Sequence, residues 1–319
     1  MRIFVTGANG FIGRHLLERF AADGHDARGV DLVADPARAV VAGDVGDPEP
    51  WRAHLAGSDV VIHTAALVSN SPTLDEAWRV NVLGTRTVLD AAVTAGVGRF
   101  VHLSSIRVFS DLGFPDGVTE DHPVRPDGNP YVDTRIASEQ VVLQAHAAGQ
   151  LATTIVRPGD VYGPRSRPWT VLPIEMIRKR QFFLPARGRG IFSPVHVDDL
   201  VDGIVLAATR PEGAGQVFTL AGGVGVPTAE FFGHYYRMLG RRPVLLPTTL
   251  ALAVAGGAAV PARLLDPGTE IGTTAVRYFC RTGTYSIEKA GRLLGYAPRV
   301  GLEQGMAGVE RWLVEEGLL

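Results

Sequence analysis

Apolar positions alternate between short continuous runs and stretches spaced three and four residues apart, and the alternation repeats through the first half of the chain. Ile3, Phe4 and Val5 form the first run, and Phe11–Phe20 carries its apolar residues at helical spacing. A second strand is predicted to end at Asp31 and a third to cover Ala39–Gly43. Further buried strands are predicted over Asp59–His63, Phe100–Ser104 and Ala152–Arg157, with helices at Val80–Ala95 and Tyr131–Ala148. This succession reads as an α/β fold, a doubly wound parallel (Rossmann) sheet with helices on both faces. Right-handed crossovers then bring the carboxyl ends of all the strands to one edge, where open α/β sheets bind ligands.

After Pro158 the pattern changes. Residues 159–193 are rich in Pro, Gly and Arg, Val197–Thr209 returns to helical periodicity, and Gln216–Leu220 reads as a strand. Beyond Gly222 the chain is expected to be mostly helical, ending in the amphipathic segment Leu302–Leu318. The expected organisation is a nucleotide-binding domain from residues 1–158 plus 194–221, and a smaller, mostly helical substrate lobe from 159–193 plus 222–319.

The first strand runs into a glycine ladder, Gly7, Gly10 and Gly13, interleaved with Asn9, Phe11 and Ile12. A strand feeding such a turn at the start of a helix aims backbone N–H groups and the positive helix end at a diphosphate, and glycines clear its approach. Asp31 follows Gly13 by 18 residues. A carboxylate there accepts hydrogen bonds from the adenosine ribose and repels a 2′-phosphate, which predicts NAD; Arg38 keeps NADP open as the alternative. Asp44 and Val45, delivered by the third strand, are expected to flank the adenine.

Composition narrows the picture. With 319 residues, 46% hydrophobic, the chain can bury one large core plus a smaller lobe. A net charge of −2 supplies no basic field for nucleic acid, and the single Cys280 excludes an intrachain disulfide and a multi-cysteine metal site, so no metal is expected. The longest apolar stretch, Thr248–Val260, falls short of the ~20 residues that cross a bilayer. It reads as a buried helix, or as a lid over a lipophilic substrate or a membrane-touching patch. Met1 and Arg2 lead straight into the first strand with no visible signal peptide, so a cytoplasmic location is expected.

Chemistry enters at Tyr131 and Arg135, one helical turn apart, where a guanidinium can stabilise a phenolate that moves a hydroxyl proton. Ser105, at the end of the preceding strand, adds a hydroxyl at the ligand edge.

The glycine turn, His63-Thr64-Ala65-Ala66, Asn81–Thr85, Ser104-Ser105, Tyr131 with Arg135, and Arg157–Pro164 come in the order seen in extended short-chain dehydrogenases/reductases. The chain resembles this NAD-dependent epimerase/dehydratase superfamily, and looks nearest to its 3β-hydroxysteroid dehydrogenase-like members. The resemblance implies that Tyr131 is the general acid/base, that Ser105 orients the substrate oxygen, and that Ala65 and Ala66 line the cofactor. It also implies that Asn81 holds the active-site helix, that backbone around Pro158, Gly159 and Val161 meets the carboxamide, and that a homodimer forms through helices 81–95 and 131–148.

Three departures shape the expected activity. Arg135 replaces the family's lysine, Ile106-Arg107 replaces the Asp-Glu pair of dehydratases, and Phe109-Ser110 replaces the Tyr-Gly common in epimerases. The apolar Leu250–Leu265 segment and the aromatic candidates Trp169, Phe182, Phe183 and Tyr278 favour a lipophilic, steroid-like secondary alcohol or ketone as the small-molecule substrate. Arg165, Arg167, Arg187 and Arg189 keep a nucleotide-sugar epimerase with retained NAD open, and Arg135 keeps open an NAD-binding pseudoenzyme.

Overall fold

In β1 (Arg2–Thr6) every residue after Arg2 is buried, with successive side chains pointing to opposite faces of a sheet covered on both sides. Ile3 and Val5 join one core cluster; Phe4 joins the other. A computed structural model describes residues 1–111, 115–265 and 272–319, with the side chains of 259–265 outside the described set.

The main sheet adds β2 (Asp26–Asp31), β3 (Val40–Ala42), β4 (Val60–His63), β5 (Arg99–Leu103) and β6 (Ala152–Pro158). Short strands β7 (Asp160–Tyr162), β8 (Ile191–Phe192) and β9 (Pro194–His196) precede its last member, β10 (Gln216–Leu220), and β11 (Val226–Pro227) follows. The seven strands are parallel in the order β10-β6-β5-β4-β1-β2-β3. The order reverses between β1 and β4, and the crevice at that switch point is where such sheets take a ligand.

One face is covered by α1 (Phe11–Ala22), whose Leu16, Leu17 and Phe20 pack onto Ile3, Val5 and Ile62. On the opposite face α2 (Leu74–Trp78) starts at a capping box between Thr73 and Glu76. The helix expected over Val80–Ala95 is divided: Arg79–Leu83 forms a π turn, and only α3 (Gly84–Thr94) is regular. Such a turn re-aims the side chains it carries, and Asn81 sits in it. α4 (Pro130–Ala147) begins at Asn129, whose side chain caps the amide of Tyr131 at 2.9 Å.

The later helices are α5 (Leu172–Arg178), α6 (Val197–Thr209), α7 (Thr228–Met238), α8 (Thr248–Leu265), α9 (Thr273–Tyr278), α10 (Glu288–Leu294) and α11 (Leu302–Glu315). A second core gathers Phe182, Phe192, Phe231, Phe232, Tyr235 and Tyr278 with Met306 and Val309. Not all of 222–319 belongs to it. Ala290, Leu294 and Tyr296 pack with α6 and β10 in a core of the main sheet, and the Tyr296 hydroxyl donates to the Ala221 carbonyl at 3.0 Å.

Among its described side chains α8 buries one face: Ala251 and Ala255 pack with Val276, while Leu250 and Val254 stay exposed. Beyond residue 258 the side chains of the predicted apolar segment Leu250–Leu265 lie outside the described residues. No described helix is long and apolar enough to cross a membrane.

Candidate active site

The glycine turn is shaped by close approaches. Gly7 has φ +66°, and a Cβ there would stand 2.8 Å from the backbone of Ala65 at the end of β4. A Cβ on Gly13 would stand 2.2 Å from the Gly7 carbonyl, so α1 can start this close to β1 only without one. Gly10 caps α1 and donates its amide to the Gly7 carbonyl at 3.0 Å. Phe11 and Ile12 open the helix and rest against the core of the sheet.

Asp31 ends β2 beside this turn. Its Oδ2 accepts the Asn9 amide at 2.8 Å and its Oδ1 the Leu32 amide at 2.7 Å. Arg38 is ion-paired with Asp35. Asp44 accepts the Gly46 amide at 2.8 Å, and Val45 is buried in the same cluster as Val88 and Leu89 of α3. Gly7, Asp31, Asp44, Val45, Ala65 and Ala66 thus stand at carboxyl ends of β1, β2, β3 and β4. The turn fits a dinucleotide because glycines at 7 and 13, where a Cβ would strike the backbone of Ala65 or the Gly7 carbonyl, let the start of α1 close tightly on β1 at the ligand edge.

Asn81 lies one layer beneath. It is fully buried, its amide oxygen accepts the Leu67 amide at 2.8 Å, and its Nδ2 donates to Thr134 Oγ1 at 3.0 Å. It therefore ties the loop after β4 to α4. At the end of β6, Gly159 packs where a Cβ would stand 2.6 Å from the Ser193 carbonyl, next to Pro158 and the buried Val161.

Tyr131 and Arg135 are both buried in α4, with the Arg135 guanidinium carbon 5.5 Å from the centre of the tyrosine ring. Arg135 Nη1 donates to the Leu103 carbonyl at 3.0 Å, and its Nε is buried without a hydrogen-bond partner. Below it lie His63 and His102, stacked at 5.5 Å. Burial, then the charge of Arg135, lowers His63 to about 3; burial together with His63 and Arg135 pushes His102 well down. Both rings are therefore neutral at neutral pH.

Ser105 begins the short 3-10 turn Ile106–Phe109 and accepts the Arg107 amide at 3.1 Å on its hydroxyl. The Arg107 side chain is a feature that local sequence patterns do not reveal. Its guanidinium carbon lies 5.1 Å from the ring centre of Tyr131 and 5.1 Å from that of Tyr278, and it makes a two-pronged ion pair with Asp111 at 3.0 and 2.6 Å. Arg281 also packs on the Tyr278 ring, its guanidinium carbon 3.9 Å from the ring centre, and pairs with Asp160 at 2.9 Å. The Tyr278 hydroxyl also donates to Asp160. Ser110, where epimerases carry glycine, holds φ +77° and donates its hydroxyl to Asp127 at 3.0 Å.

Other sequence candidates are dispersed. Arg165 and Arg167 pair with surface Glu18 and Glu175 at 3.3 and 3.9 Å, while Arg187 and Arg189 are exposed. Trp169 stacks on Tyr278 at 5.4 Å, Phe182 is buried in the aromatic core, and Phe183 packs beside α8. His196, Asp198 and Asp199 serve α6: His196 caps its first turn, and Asp199 accepts the amides of Arg299 and Val300.

A glycine cradle at the switch point beside a tyrosine–arginine helix defines a nucleotide-dependent oxidoreductase of the short-chain type. The chain belongs to the NAD dependent epimerase/dehydratase family, whose profile matches residues 3–221. Over 319 residues it is 35% identical to a 4-hydroxy-2-methyl-3-oxo-4-farnesyl-3,4-dihydroquinoline-1-oxide ketoreductase of Stigmatella aurantiaca, covering 96% of this chain and 95% of that one. It is 28% identical to a 2-alkyl-3-oxoalkanoate reductase of Stenotrophomonas maltophilia, covering 96% and 97%. Among solved structures it is similar to MoeE5 in complex with UDP-glucuronic acid and NAD, with a TM-score of 0.80, 27% identity and coverage of 99% and 100%.

Proposed function

We propose that this enzyme interconverts a secondary alcohol and a ketone on a lipophilic substrate, with NAD as the hydride carrier. The observation that carries the reading is the side chain beside Tyr131. Where a dehydratase needs a free acid and base, Ile106 is apolar and Arg107 is ion-paired to Asp111, which leaves proton transfer through a hydroxyl as the available chemistry. The ketone substrates named for the Stigmatella and Stenotrophomonas relatives support it.

When bound, the dinucleotide supplies or accepts the hydride at carbon. In this reading Asp31 holds its adenosine ribose, and Asp44, Val45, Ala65 and Ala66 border its adenine and pyrophosphate. Backbone at Pro158, Gly159 and Val161 meets its carboxamide. Ser105 Oγ orients the substrate oxygen, and the Tyr131 hydroxyl gives it a proton or takes one away. Arg135 favours the phenolate and steadies the ring, while Asn81 fixes the helix that carries both. The apolar residues Leu74, Trp78 and Leu83, each at least 42% exposed around α2 and α3, suit a homodimer through helices 81–95 and 131–148. A cytoplasmic location suits a dependence on the soluble NAD pool.

The test is a panel of steroid ketones, aryl ketones, long-chain ketones and UDP-sugars, followed by NADH absorbance and product identity. Reduction of a lipophilic ketone with stoichiometric NADH loss is expected. Epimerised UDP-sugar without net NADH change would establish the retained-NAD alternative, to which the UDP-sugar complex of MoeE5 lends weight. Tight NAD binding with no turnover across the panel would establish a pseudoenzyme.

A further inference from the structure

We propose that Arg107 recognises a second oxygen on the substrate, so that 3-oxo acids are preferred to simple ketones; the inference rests on the ketone reading above. A guanidinium carries five N–H donors, about three of which serve Asp111 and Asn70 here. Nε and Nη2 hold Asp111, and Nη2 also donates to Asn70 Oδ1 at 2.9 Å. Nη1 donates no hydrogen bond among the described residues, and it is not among the sealed orphan donors. The side chain keeps 12% exposure, so an incoming group can reach it.

Its position fits this role. The Arg107 amide contacts Ser105 Oγ and its guanidinium carbon lies 5.1 Å from the centre of the Tyr131 ring, so the side chain stands beside the two residues assigned to the substrate oxygen. The local charge fits as well. Arg135, Arg107 and Arg281 layer on the rings of Tyr131 and Tyr278, with Asp111 paired to Arg107 and Asp160 to Arg281. The unspent Nη1 donors of Arg107 in this cluster suit a substrate carboxylate, which accepts charge-assisted hydrogen bonds.

The test uses 3-oxodecanoate and 2-nonanone, which differ by one carboxylate, as paired substrates with NADH. The wild-type kcat/KM ratio is expected to favour the acid by about tenfold or more, as one charge-assisted contact supplies. Arg107→Gln should collapse that ratio mainly through KM for the acid, Arg107→Lys should retain part of it, and Asp111→Asn, which removes the competing carboxylate, should raise it. A wild-type ratio near one, or a loss shared equally by both substrates in Arg107→Gln, overturns the proposal. Binding of decanoate to the NADH-loaded protein supplies a readout independent of turnover. If neither ketone is reduced while Arg107→Gln weakens decanoate binding tenfold, the ketone reading fails and the anion site stands; equal decanoate affinity in both proteins overturns the site.

Discussion

The backbone amide of Asn9, in the glycine turn, donates to Asp31 Oδ2 at 2.8 Å, so the turn proposed to meet the diphosphate also fixes the carboxylate proposed to meet the ribose. Arg38, the cation that keeps an NADP reading open, is engaged by Asp35. Purified protein should therefore bind NAD(H) more tightly than NADP(H). Asp31→Ala should weaken NAD(H) by about tenfold and narrow the preference, as loss of a charged hydrogen-bond acceptor implies. Calorimetric titration with both dinucleotides checks this, and equal affinities in the wild type would remove the role assigned to Asp31.

Tyr131→Phe deletes a single oxygen from a buried ring. Turnover should fall by at least ~100-fold, the usual scale for losing a general acid/base, while NAD(H) affinity changes little. Wild-type turnover in this variant would exclude Tyr131 from the chemistry.

Arg135 spends Nη1 on the Leu103 carbonyl, and it supplies a broad fork where a compact ammonium would reach the ribose. Arg135→Lys is expected to retain or raise kcat, and Arg135→Met to lower it well below the wild type. Initial rates under saturating NADH distinguish the outcomes; a lysine variant as inactive as the methionine one would mean that the site is built for guanidinium geometry.

Gly13→Ala places a methyl 2.2 Å from the Gly7 carbonyl, and backbone cannot yield as a side chain would. A loss of about 1–3 kcal/mol in folding stability is expected, with weakened NAD(H) binding in the same variant. Chemical denaturation and calorimetry measure the two effects, and an unchanged midpoint would contradict the close contact.

Acid should destabilise the protein through His63 and His102. His63 is lowered to about 3 in the folded state by burial and by Arg135, so the unfolded chain binds more protons below its ordinary value of 6.5. Stability is present above pH ~6.5 and is lost as pH falls toward 3, at about 1.4 kcal/mol per pH unit for His63, with His102 adding in the same direction. Thermal melts between pH 7 and pH 5 should show this slope, and His63→Asn should flatten it; identical slopes would place the acid sensitivity elsewhere.

The sequence by itself determined the elements whose information is local. The glycine ladder after an apolar strand defined the dinucleotide turn, Tyr131 and Arg135 shared a helix face because they are one turn apart, and runs of buried residues marked the parallel strands. Family order then identified the superfamily. Tertiary structure decided what depends on residues remote in the chain. Tyr278 and Arg281 come to Arg107 and Asp160 across more than a hundred residues, so a loop arginine that reads as a dehydratase position filled by a cation becomes part of a buried charge stack over Tyr131. The π turn at Arg79–Leu83 departs from what helical periodicity favours, and Ser110, whose hydroxyl donates to Asp127, holds a positive φ against serine's own preference. Periodicity reports which side of an element is buried; it carries no information about which distant charge that side will meet, and only the closed fold sets that pairing.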